Sequence, residues 1–77
     1  MKKVYLVHGS EDGVIGIYSN VKKAYESALQ YGDNEASDER KVDSYAKTCK
    51  ALKELGFASV VESSYAESNI EMFYLNQ

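Results

Sequence analysis

The sequence predicts an α+β domain of two layers: a mainly antiparallel four-stranded sheet with two helices on one face, in the order ββααββ. Three observations carry this. Four short runs, Lys3–His8, Val14–Tyr18, Phe57–Val61 and Ile70–Leu75, are rich in β-branched and aromatic residues. The residues between the second and third runs repeat their apolar positions with helical spacing. The chain has 77 residues, which is room for one domain spanning 1–77, and two packed layers are the simplest way to bury such elements.

The first run, Lys3-Val-Tyr-Leu-Val-His8, is a continuous apolar stretch and reads as a strand buried on both faces. Gly9-Ser-Glu-Asp-Gly13 follows, with a glycine at each end, and has the length and chemistry of a hairpin turn. Val14–Tyr18 is then a second strand, antiparallel to the first. Gly16 in its middle calls for a bulge or for close packing under a helix.

Ser19 or Asn20 is placed to cap a helix. Val21, Ala24, Tyr25, Ala28 and Leu29 form an apolar stripe, and Lys22, Lys23, Glu26 and Gln30 take the other side. Gly32 stands where a terminating glycine belongs, so the helix is expected over Val21–Tyr31. Asp33–Glu39 is small and polar, a loop in which Ser37 or Asp38 can cap the next helix. Val42, Tyr45, Ala46, Cys49 and Leu52 carry a second stripe, giving a helix over Glu39–Leu55 stopped by Gly56. Ser63–Asn69 is a polar turn between the last two strands.

Bulk properties exclude several functions. Apolar residues are 44% and charged residues 27%, a folded balance and not a disordered one. The net charge of −3 argues against a nucleic-acid binder, whose affinity would come from a basic surface. One cysteine, Cys49, leaves no intramolecular disulfide and fits a reducing compartment. No apolar run approaches a membrane span, and Val4–Val7 is too short for a signal-peptide core. These features together give a cytoplasmic expectation.

The chemistry-bearing residues form no constellation that calls for catalysis. Val4-Tyr-Leu-Val-His-Gly9 resembles the opening of an α/β-hydrolase, but no Gly-x-Ser-x-Gly elbow follows and His8 is the sole histidine. His8 with Glu11 and Asp12 falls short of the convergent ligand set a stable metal site needs. Asp33–Asp38 lacks the turn glycine and the bidentate glutamate of a calcium loop. Gly13 and Gly16 have the wrong spacing for a phosphate loop. Lys22 and Lys23 open the first helix and read as an exposed pair, compatible with an anion site at that helix end. Cys49, on the apolar stripe, is expected to be buried and inert. No catalytic residue, cofactor or metal is therefore expected, and the chain is not expected to be an enzyme.

A surface remains. Two helices cover one face of a sheet, and the strands are apolar in both phases: Tyr5 and Val7 against Val4 and Leu6, Met72 and Tyr74 against Phe73 and Leu75. One set has to find cover from a partner or a second copy. Tyr5, Tyr18 and Tyr74 are candidates for that face, since tyrosine is an interface residue, and Tyr31 and Tyr65 are also free of the helix stripes. Beyond Lys53 the charges are all acidic, and Glu62, Glu67 and Glu71 would rim the surface and favour a basic partner.

The segment Ile15-Gly-Ile-Tyr-Ser-Asn-Val-Lys-Lys-Ala24, preceded by Lys3-Val-Tyr-Leu-Val7, resembles a family of short phage and bacterial proteins of unknown function. Ile70–Asn76 resembles their last strand; Glu39–Leu55 lies outside the pattern. The resemblance implies a phage-encoded accessory protein and transfers no functional residue. The sequence thus points to a non-enzymatic protein-binding module that modulates a host or viral protein, as a monomer or a homodimer. The alternative is a small-ligand or nucleotide-sensing domain using the start of the first helix.

Overall fold

A computed structural model of the protein describes residues 2–34, 41–62 and 66–75. The elements are β1 (Lys2–Gly9), β2 (Gly13–Tyr18), α1 (Val21–Asn34), β3 (Lys41–Val42), α2 (Tyr45–Leu55), β4 (Phe57–Glu62) and β5 (Ser68–Leu75). The order is ββαβαββ, and the strands make one antiparallel sheet in the spatial order β2-β1-β5-β4-β3. The α+β class and the antiparallel sheet match the expectation. The strand count and order do not.

The difference is β3. Lys41 and Val42 pair with Glu62 and Val61, where the sequence predicts the first turn of α2. Val42 lies three residues before Tyr45, so it falls on the helical stripe although it belongs to a strand. The helix starts at Tyr45 because Ser44 caps it. Ser44 is extended, and its Oγ accepts from the Lys47 N–H at 3.1 Å. The caps proposed at Ser37 and Asp38 lie outside the described residues. At the other end Gly56 takes φ +73° and its N–H donates to Leu52 O at 2.9 Å, a left-handed cap that suits glycine.

Helix α1 is capped by Asn20, whose Oδ1 accepts from the Lys23 N–H at 3.0 Å. It runs through Gly32 to Asn34, beyond the expected stop. Ala24 and Ala28 face the sheet and are fully buried. Their small size lets the helix sit close to Val7, Val60, Val61 and Ile70, which with Leu52 and Ala58 complete the core. At the far end of the layer the Tyr31 ring lies on Gly9. A Cβ there would meet the ring at 2.5 Å, so the close approach requires glycine. The Tyr31 hydroxyl accepts from the Glu11 N–H at 3.1 Å and ties the hairpin turn to the helix. Gly16 also has a neighbour on it, the ring of Tyr18, and the β1–β2 register shifts beside it, so its place reflects a bulge.

Candidate functional site

Register fixes the two faces of the sheet. Val7 pairs with Ile70, Tyr5 with Met72 and Lys3 with Tyr74. Val7 and Ile70 are fully buried under the helices, so this phase is the covered one. The other phase holds Lys2, Val4, Leu6 and His8 of β1, and Asn69, Glu71, Phe73 and Leu75 of β5. Ile17 pairs with Leu6, and Phe57 with Glu71, and both join it.

This open face is apolar at its centre. Ile17 is 63% exposed, Leu75 43% and Phe73 41%, with Val4 and Leu6 half-buried between them. Val4, Leu6, Ile17, Phe73, Leu75 and the neighbouring Tyr74 enclose a shallow concavity of about 360 Å³. Beyond it the face turns polar. His8 Nε2 lies 3.4 Å from Glu71 Oε1, an ion-pair distance without hydrogen-bond alignment, and that nitrogen is shielded from water. Ser59 Oγ donates to Glu62 Oε1 at 3.4 Å. Lys2 stands at the opposite end of β1.

Four of the six expected surface residues lie off the open face. Tyr5 and Tyr18 are on the covered side and pack, half-buried, against the core. Glu67 is exposed but sits at the turn before β5. Its N–H donates to Ser10 Oγ at 3.0 Å, and its carbonyl accepts from the Ser10 N–H at 2.9 Å. Tyr74 is in the covered phase, yet it projects past the helices and is exposed. Glu71 stands on the open face, and Glu62 is exposed at the other end of β4, where it pairs with Lys41. Tyr65 lies outside the described residues.

A second concavity, about 300 Å³, opens on the covered side at the Lys2–Leu75 end of the sheet. Lys3 and Tyr5 of β1 and Met72 and Tyr74 of β5 form its floor and rim. Val21 of α1 and Cys49, Leu52 and Lys53 of α2 form its walls. The Lys3 ammonium is 5.9 Å from the centre of the Tyr74 ring, a cation–π distance. Cys49 is thus half-buried at a cleft and not sealed in the core as expected. Thr48 and Leu52 take the buried positions of α2.

Tyr45, on the predicted apolar stripe, is exposed and stands edge-on to Tyr25 with ring centroids 5.4 Å apart. Hydrogen bonding with the Cys49 side chain is the main cause holding the Tyr45 hydroxyl above its ordinary pKa, with burial next. Burial, then the charge of Asp43, raises that of Tyr25. The Tyr25 hydroxyl donates to Asp43 O at 2.7 Å, joining α1 to the segment before α2.

Among the described residues no group of three or more His, Cys, Asp or Glu side chains could hold a metal ion. No helix among them is long and apolar enough to cross a membrane. Comparison with protein-family models, curated proteins and solved structures gives no match. The phage resemblance rests on Lys3–Val7, Ile15–Ala24 and Ile70–Asn76 alone.

Proposed function

We propose that this chain is a small non-enzymatic protein-binding module that docks its partner on the open face of the sheet. The observation that carries the reading is the cluster of Ile17, Phe73 and Leu75, exposed side by side with Val4 and Leu6 on one flat surface. Monomers seldom leave such a cluster in water, because covering apolar area yields about 25 cal/mol per Å². Glu71, paired with Leu6, borders the cluster, and the chain carries net charge −3. The partner that fits is a protein surface with an apolar centre and basic residues beside it. A phage accessory protein acting on a host or viral protein is the setting that goes with this reading, and the motif residues support it.

Affinity capture from a bacterial lysate tests this, with the wild-type chain and the Phe73→Asp and Leu6→Lys variants compared. The expected result is a partner held by the wild type, lost by both variants and released by raised salt. Equal capture by all three would overturn the reading. Sedimentation of the isolated chain identifies the other occupant. Dimers that Phe73→Asp dissociates would mean that a second copy covers the face.

A further inference from the structure

We infer that the cleft between α2, the start of α1 and the ends of β1 and β5 binds a small organic anion with an aromatic or apolar body. The cleft lies on the helix side of the sheet, so the inference stands apart from docking on the open face. Its volume, about 300 Å³, is at the lower end of small-molecule pockets. Its described residues come from four elements, and no carboxylate is among them. That is notable in a chain with 12 acidic residues and 9 Lys and Arg.

The two charged groups at the cleft are both ammoniums, Lys3 and Lys53. The ion pairs formed among the described residues are His8–Glu71 and Lys47–Asp43, so neither cleft lysine is neutralised by a carboxylate there. Two like charges at one opening favour an anion between them. The first turn of α1, reaching the cleft through Val21, adds potential of the same sign. Beneath the lysines the surface changes character. Tyr5, Tyr74, Leu52 and Met72 offer rings and aliphatic area to the body of a ligand. A charged rim over an apolar floor selects a molecule with the same division, and selects against a bare inorganic anion.

An NMR titration of the ¹⁵N-labelled full chain tests this. The probes are naphthalene-1-sulfonate, its neutral analogue naphthalene-1-methanol, and inorganic phosphate. The expected result is saturable shifts at Lys3, Tyr5, Val21, Cys49 and Lys53 with the sulfonate, and much weaker ones with the other two. Lys3→Glu with Lys53→Glu should weaken sulfonate binding by about tenfold or more while the spectrum stays folded, since both side chains are exposed. Bound sulfonate should also slow alkylation of Cys49 by iodoacetamide. Three results would overturn the inference: no saturation at these residues, shifts confined to Val4, Leu6 and Phe73, or equal affinity for the neutral analogue or for the double variant.

Discussion

The two faces of this sheet are built from the same strands and differ in what touches them. On the covered face Val7 and Ile70 are fully buried, and the helices approach through Ala24 and Ala28. On the open face Phe73 and Leu75, their neighbours in the alternate phase, remain more than two-fifths exposed. Both phases are apolar, so hydrophobicity alone does not decide which one the helices take. Shape decides it. The covered phase mixes small residues, Gly9, Gly16, Ala58 and Ser68, with a few large ones, and so can receive two helices. The buried Ser68 hydroxyl even finds a helix partner, donating to Ala28 O at 2.8 Å. The open phase offers a more uniform aliphatic and aromatic surface, suited to a partner that arrives later.

This contrast can be broken or sharpened by substitution. Ile70→Ala should cost about 3 kcal/mol, because the helices cannot collapse fully into the space left behind. Urea unfolding measures it, and a loss under about 1 kcal/mol would show that the covered face is loosely packed. Tyr25→Phe should cost about 1 kcal/mol by removing the hydrogen bond to Asp43 O. Its pH dependence has a definite sign. The folded-state pKa of Tyr25 is raised, so the stability linked to its neutral form is complete below the unfolded value near 10. That stability is lost as pH rises through the folded value. The variant should lose less stability above pH 10 than the wild type does, and equal alkaline losses would contradict the assignment.

Thr48→Val should gain about 0.5–1 kcal/mol, since the Thr48 hydroxyl is buried with no hydrogen-bond partner among the described residues. A loss of stability in thermal unfolding would mean that this hydroxyl is satisfied in solution. The smallest effect is expected on the open face. Phe73→Asp should alter the stability of the isolated monomer by no more than about 0.5 kcal/mol. A cost near that of Ile70→Ala would show that the two faces are equally structural and would remove the basis for docking.

Much of this architecture was legible because its signals are local. The strand runs, the Asn20 cap and the Gly56 stop each depend on a few adjacent residues, and each is found where expected. Strand β3 was not legible. Two residues in a polar stretch carry no period of their own, and Val42 joined the helical stripe by coincidence of spacing. Gly32 has the chemistry of a stop but lies inside α1, two residues before its end, since glycine disfavours a helix interior by only about 1 kcal/mol. Alternation showed that the strands have two apolar phases and left open which faces out. Tyrosine is common at interfaces, yet the open face is carried by Ile17, Phe73 and Leu75. The cleft was out of reach of the sequence, since Lys3, Val21, Lys53 and Tyr74 meet only through the fold.

The pairing of β1 with β5 governs how the molecule is made. These strands share an unbroken register from Lys2↔Leu75 to Gly9↔Ser68, and β5 also holds β4 on its other side. Before β5 emerges from the ribosome the chain offers two separate strand pairs, β1–β2 and β3–β4. Isolated pairs are marginal in water. The last strand therefore acts as the keystone of the sheet, and native structure has to wait until synthesis has delivered it. During that wait the apolar phase that later faces outward is exposed together with the one destined for the core, so the nascent chain is most prone to aggregate just before it can fold.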